Sequence, residues 1–248
     1  MLRLARQQMT SLQQVMLDRF QRGLVAHSEE YFPVHWRVIG AEQMAEVVRL
    51  GVRRALDLGY QTERDGYLFH SLMLYFGSHF DTDPQYPWLA NALADDSIGS
   101  RSQRLTNAHQ AAMDFLDDVA GSQGELMAAA LQSLRSTVLP ELRREPKVNF
   151  EYLLSVLKSA WPRKVERVGE QGVRGLAESV MRVAPTVGLK SPAGACLYVI
   201  ACFFFGHGLE RDPQFPWVGR LIGQPGRTDS PARSFQDLFA MHLDALEA

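Results

Sequence analysis

The chain has 248 residues, 46% of them hydrophobic and 22% charged, the mix of a folded globular protein rather than a disordered one. With 26 Lys and Arg against 28 Asp and Glu the formal net charge is −2, which supplies no global attraction to nucleic acid or anionic lipid. That length supports one large domain or two small ones, with a core that needs no disulfide or metal staple.

In chain order, Met1-Leu2-Arg3-Leu4-Ala5-Arg6-Gln7-Gln8 is too polar for the apolar core of a signal peptide. A long helix is predicted to end at the pair Phe32-Pro33. Val47, Val48, Gly51, Val52, Ala55 and Leu58 then recur at helical spacing and predict an amphipathic helix closed by Gly59. Thr62-Glu63-Arg64-Asp65 reads as a capped start, with acids in the first turn, for a helix through Tyr67-Leu68-Phe69. Glu63, Arg64 and Asp65 are also candidates for a surface ion pair. Asp83-Pro84 is a third start signal, with Trp88 one turn in and anchoring that helix to its own half. A closing helix follows. Gly121-Ser122-Gln123-Gly124 reads as a break, Leu126 to Leu142 as helical despite Pro140, and Arg143-Arg144-Glu145-Pro146-Lys147 as a polar turn.

The pattern then begins again. Phe76-Gly77 and Asp83-Pro84-Gln85-Tyr86-Pro87-Trp88 return as Phe205-Gly206 and Asp212-Pro213-Gln214-Phe215-Pro216-Trp217, displaced by 129 positions throughout. The same displacement carries Phe32-Pro33 onto Trp161-Pro162, Ile39-Gly40 onto Val168-Gly169, Gly59 onto Gly188 and Thr62 onto Ser191, where Pro192 takes the first helical position. Leu176, Ala177, Val180, Met181, Ala184 and Val187 repeat the amphipathic stripe. Downstream, Met113 and Leu116 align with Leu243 and Leu246 after a one-residue shift. Sustained two-residue alternation is scarce. The expected fold is therefore all-α: two tandem diverged copies of a helical unit packed as a pseudo-twofold bundle. The first repeat is 1–121, a linker with a helical segment is 122–147, and the second repeat is 148–248.

The longest apolar run, Ala193 to Phe205, has 13 residues, short of the ~20 a bilayer crossing requires, and reads as a buried central helix. No membrane insertion is expected. Cys196 and Cys202 within it face different directions and read as buried thiols of a reducing compartment, so a cytoplasmic location is expected.

Several side chains could carry chemistry. His79, Asp81 and Asp83 have the spacing of a metal cluster, but the second half offers Gly208, Glu210 and Asp212 instead, and a helix cap accounts for Asp83. His70 and His207, the latter aligned with Ser78, lack an evident nucleophile or fixed acid. Gly223-Gln224-Pro225-Gly226 is a turn rather than a phosphate loop. Lys158, Arg163, Lys164 and Arg167 flank Trp161 in the pattern of a basic patch with an aromatic platform, yet Glu166 and Glu170 dilute it, and a solvated helix end without nucleic acid is the expectation; Glu29, Glu30 and His35 stand there in the first half. No catalytic residue, metal or cofactor is assigned. The paired loops, Asp83, Gln85, Tyr86 and Trp88 with Asp212, Gln214, Phe215 and Trp217, have two readings: folding punctuation, or partner-binding edges of a groove between the copies.

At these residues the chain resembles an uncharacterised bacterial family of duplicated all-α units. Its pattern of Phe-Pro, a Gly-containing helix start, Glu-Arg-Asp, Phe-Gly and Asp-Pro-x-x-Pro-Trp stands here as Phe32-Pro33, Ile39-Gly40, Thr62-Glu63-Arg64-Asp65, Phe76-Gly77 and Asp83 to Trp88. The second half keeps Trp161-Pro162, Val168-Gly169-Glu170, Phe205-Gly206 and Asp212 to Trp217 without the Glu-Arg-Asp. The resemblance implies an accessory protein encoded near type VI secretion spike, PAAR or toxin genes. A non-enzymatic protein-binding role follows, as an effector adaptor or chaperone or as an immunity protein, with a toxin or spike component as partner. Two other readings are an effector or enzyme with a site at the seam, using His70, His79, Asp81 or His207, and a small-ligand sensor with the 193–205 helix lining a pocket.

Overall fold

The computed structural model describes residues 2–144, 147–222 and 231–247; the expected turn at Gly223 to Gly226 and the middle of the one at 143–147 lie outside them. Helices account for about four fifths of these residues, and no strand occurs among them. A 30-residue helix α1 (Leu2–Tyr31) ends at Phe32, and Pro33 opens the short α2 (Pro33–Ile39). Gly40 breaks the chain before α3 (Ala41–Asp57), whose apolar stripe, including Met44, Val47, Val48 and Val52, is buried. Thr62 then starts α4 (Glu63–Phe76) through a capping box: its hydroxyl accepts from the Asp65 N–H at 3.1 Å, while the Asp65 carboxylate accepts from the Thr62 N–H. Asp65 is therefore a buried cap, further held by the Ser102 hydroxyl at 2.7 Å, and not part of a surface ion pair.

A 3₁₀ turn at Phe80–Thr82 leads to α5 (Pro87–Ala94) and the closing helix α6 (Arg101–Ala120). The expected start at Asp83-Pro84 needs correction. The helix begins at Pro87, and Asp83 instead closes an Asx turn on the Gln85 N–H at 2.9 Å. Trp88 packs within its own half, 5.6 Å from the Phe115 ring.

Between the halves runs one helical rod: α7 (Glu125–Ser133), a π-helical turn at Leu134–Val138, and α8 (Leu139–Leu142). Pro140 has no N–H and its ring crowds the carbonyl four residues back; the wider π turn just before it, with the Leu139 N–H reaching the Leu134 carbonyl, accommodates that defect.

The second half repeats the first in order: α9 (Phe150–Ala160), α10 (Pro162–Val183) broken at Gly169, α11 (Pro192–Phe205), a 3₁₀ turn at Leu209–Arg211, α12 (Pro216–Ile222) and α13 (Pro231–Glu247). Displaced by 129 positions, the bounds of α4 coincide with those of α11, and the two 3₁₀ turns coincide as well. Ser191 caps α11 on the Gly194 N–H at 3.1 Å, with Pro192 in its first turn. The closing helices do not follow the expected one-residue shift. Phe115 meets Phe76, Tyr86 and Trp88, whereas His242 meets Phe205, Phe215 and Trp217, the counterparts of those three rings. The registration of α13 on α6 is thus 127 positions, which sets Leu243 against Leu116.

The halves do not form separate cores. One buried cluster runs from Phe32 to Leu243 through both, and a small second cluster of Leu24, Val48 and Val52 lies under α1. Each closing helix packs against the other half: α6 on α10 and α13 on α2. The Trp161 indole N–H donates to the Val119 carbonyl at 2.7 Å, and Arg163 and Arg167 both hold Asp118. The two innermost helices, α4 and α11, end facing each other at Gly77 and Gly206. Their φ angles of 88° and 91° lie where only glycine is comfortable. A Cβ at Gly77 would stand 2.7 Å from the Phe205 carbonyl oxygen, and one at Gly206 would press on the Phe76 carbonyl.

Candidate functional site: the seam between the halves

The two Asp-Pro-Gln-aromatic-Pro-Trp loops meet the opposite half around this glycine pair, and their hydrogen bonds are exchanged. Asp83 accepts from the His207 N–H at 2.9 Å, and Asp212 accepts from the Ser78 N–H at 2.8 Å; His207 is the counterpart of Ser78. The Gln85 amide donates to the Cys202 carbonyl at 3.1 Å, and the Gln214 amide donates to the Met73 carbonyl at 2.9 Å, again a matched pair. Such reciprocity, with i touching j′ and j touching i′, is what a twofold relation produces. All of the eight loop residues except Trp88 are buried, so their polar atoms face the other half rather than solvent.

Burial raises the pKa of both aspartates, and the bonds they accept oppose that rise. Asp212 also accepts the Ser78 hydroxyl at 2.7 Å. Asp83 has no such hydroxyl, because His207 occupies that position, and the charges that oppose its rise are His207 first and Lys164 after it. Lys164 is not at a solvated helix end. Only 3% exposed, its ammonium donates to the Phe203 carbonyl and lies 4.7 Å from the Trp161 ring centroid and 5.6 Å from that of Tyr86. Burial pulls its pKa down to about 7, against the pull of Asp83. In the first half His35 holds the equivalent place and bonds the Leu74 carbonyl, the counterpart of Phe203. The alignment of His35 with Lys164 was the available signal for this buried pair.

Lys164 gives a prediction with a definite sign. Its folded pKa lies below the 10.5 of an ordinary lysine, so between about 7 and 10.5 the unfolded chain holds a proton that the folded chain has released. Stability of the native chain should therefore rise with pH across that window relative to Lys164→Met, by ~1 kcal/mol per pH unit. Urea unfolding of both proteins at two pH values inside the window measures it. Parallel pH dependences would refute the burial of a charge there.

The remaining candidates divide into two places. At the rim of the seam, Arg54 binds Asp81, the Ser78 carbonyl and Nδ1 of His79, the last at 3.1 Å. Burial, and then Arg211, Arg54 and His207, hold the His79 pKa down to about 3. Asp81 and Asp83 turn to different partners, and among the described residues no three His, Cys, Asp or Glu side chains converge as a metal site. His70 lies elsewhere, buried under α1.

Three hydroxyl–imidazole pairs exist that the sequence did not suggest: Ser28–His70 at 2.7 Å, Ser71–His109 at 3.0 Å and Thr82–His207 at 3.0 Å. Each resembles a nucleophile beside its base. In each, however, the hydroxyl also bonds a backbone carbonyl three or four residues back: Leu24, Leu68 and His79. A hydroxyl has one proton, and a carbonyl only accepts, so the imidazole nitrogen is the donor and cannot act as the base. His207 reinforces this, since its Nε2 is also 3.0 Å from the His79 carbonyl. Cys196 and Cys202 are buried in α11, and burial raises both thiols, Cys196 to about 12, which removes them as nucleophiles. None of the described helices is long and apolar enough to cross a membrane.

Comparison of this chain with protein-family models, with curated proteins and with solved structures returns no match in any of the three.

Proposed function

We propose that this chain is a non-enzymatic protein-binding accessory protein. We further propose, from the resemblance of its motifs, that it serves a type VI secretion-like toxin-delivery system in the cytoplasm, as an effector adaptor or chaperone or as an immunity protein. The observation that carries the binding reading is the use made of the polar groups at the seam. Asp83, Asp212 and the side-chain N–H groups of Gln85 and Gln214 join the halves, and the three hydroxyl–imidazole pairs have their hydroxyl protons committed to backbone carbonyls. These exchanged bonds hold the halves together, and a rigid helical body serves recognition by its outer faces. Such a face exists on the first half, where Tyr31, Val34 and Tyr75 are exposed.

The test is to mix the purified chain with each protein encoded beside it and follow the elution volume on size exclusion. A single larger species with a toxin or spike component is the expected result; independent elution from every neighbour would overturn the reading. An adaptor should join the toxin to the spike component in a three-way complex, whereas an immunity protein should abolish the activity of the toxin it binds.

A further inference from the structure

We infer that the outer face of α4, between α1 and α6, is a docking groove for one amphipathic helix of a partner protein; this deepens the protein-binding reading and rests on it. The floor is the stripe Leu68, Ser71 and Tyr75, three positions on one side of α4. One wall is the end of α1: Tyr67 meets His27 at 4.9 Å between ring centroids, and Tyr75 meets Phe32 at 5.3 Å. The other wall is α6, where His109 meets Ser71 and Thr106 receives Arg64.

The second half tells what such a groove holds. The counterparts of Leu68, Ser71 and Tyr75 are Leu197, Ile200 and Phe204, and all three are buried, whereas Tyr75 is 44% exposed and Leu68 partly so. The two walls there are α9 and α13, and a helix spans them: the rod from Glu125 to Leu142. Glu141 accepts the Tyr152 hydroxyl of α9 at 2.9 Å, the Leu139 carbonyl accepts the Gln236 amide of α13, and Arg135 and Arg143 pair with Asp244 and Asp237 of α13. Leu134, Val138 and Leu142 are its buried face.

In the first half no such rod is present among the described residues. α1 runs parallel to α4, with Phe20 at Gly66 and Tyr67 and Phe32 at Tyr75, so its earlier residues overshoot the start of α4 instead of folding back. Tyr31, 62% exposed, stands where Ala160 is buried. A second copy of the chain is the weaker occupant, because its rod is already buried in its own second half. A partner helix matched to this groove would carry an apolar stripe of about two turns, the ~11 Å length of the floor. It would also carry a basic residue facing Asp117, the exposed counterpart of Asp244 in the registration of α6 on α13.

The probe is the chain's own rod supplied in trans. A fluorescent peptide of residues 125–142 is titrated with the full chain and read by anisotropy. Saturable binding is expected, weakened at least tenfold by Tyr75→Glu and by Leu68→Glu, and unchanged by Met181→Glu on another exposed surface. Far-UV circular dichroism checks that each variant is folded; should Leu68→Glu unfold, the more exposed Tyr75→Glu decides. No saturable binding, or binding indifferent to Tyr75→Glu, overturns the inference. So does a dimer in light scattering that Tyr75→Glu dissolves, since the groove would then belong to a second copy. A neighbour-encoded partner whose complex survives Tyr75→Glu would remove the groove and leave the protein-binding reading standing.

Discussion

Gly206→Ala is expected to destabilise the protein by about 4 kcal/mol or more, or to abolish folding altogether. Two costs combine. The backbone at Gly206, φ 91° and ψ 158°, lies in a region that side chains do not tolerate, at about 1–3 kcal/mol. The new methyl would also meet the Phe76 carbonyl, and that carbonyl belongs to a helix end fixed by the opposite half, so it cannot withdraw without breaking the exchanged bonds around it. Gly169→Ala separates the two. It has φ 72° and ψ 162° but nothing within 4 Å of the added carbon, so it should show the backbone cost alone. Urea unfolding of the two variants makes the comparison, and equal losses would mean that the α4–α11 contact is not tight.

His70→Val should flatten the acid limb of the stability curve. The Ser28 hydroxyl donates to the Leu24 carbonyl, so His70 donates from Nε2 and its Nδ1 is buried without a partner. Burial, and then the nearby His27 and His35, push its pKa down to about 3 from 6.5. Between those values the unfolded chain binds a proton that the folded chain refuses, so stability falls as pH falls from about 6.5 to about 3. One proton over that span is worth on the order of 4 kcal/mol. Valine is what the second half carries at this place, Val199, and the Ser28 hydroxyl keeps its carbonyl after the change. The variant should therefore lose about one proton's worth less stability on acidification, while His79 and His242, also held low by burial, act equally in both proteins. Identical acid limbs would refute a neutral buried His70.

Much of the fold was legible because punctuation is local chemistry. A hydroxyl cap, a proline in a first turn and an apolar stripe each act within a few residues, so Thr62, Ser191 and the stripe of α3 announce their helices. The start at Asp83 was misread because an Asx turn and an N-cap use the same side-chain oxygen and differ only in whether the next residues turn into a helix at once. The closing helices were set three residues out of register, 130 positions instead of 127, because a helical stripe nearly repeats itself after one turn. The exchange at the seam was not legible at all: nothing local distinguishes an aspartate that caps its own loop from one that also receives an N–H more than a hundred residues away. Lys164 was misjudged for a related reason, since a lysine beside two arginines is ordinarily solvated, and only its pairing with His35 hinted otherwise.

The exchanged bonds also govern how the protein is made. A nascent chain emerging from the ribosome at roughly 10 residues per second must wait ~10 s between the first Asp-Pro loop and the backbone donor that satisfies it. Throughout that interval Asp83 and Gln85 have only the bonds they make to each other within the loop, and water must stand in for the partners across the seam. The seam is thereby expected to close only after the second half has emerged, so that Asp83 gains its distant partner well after its own loop has been made.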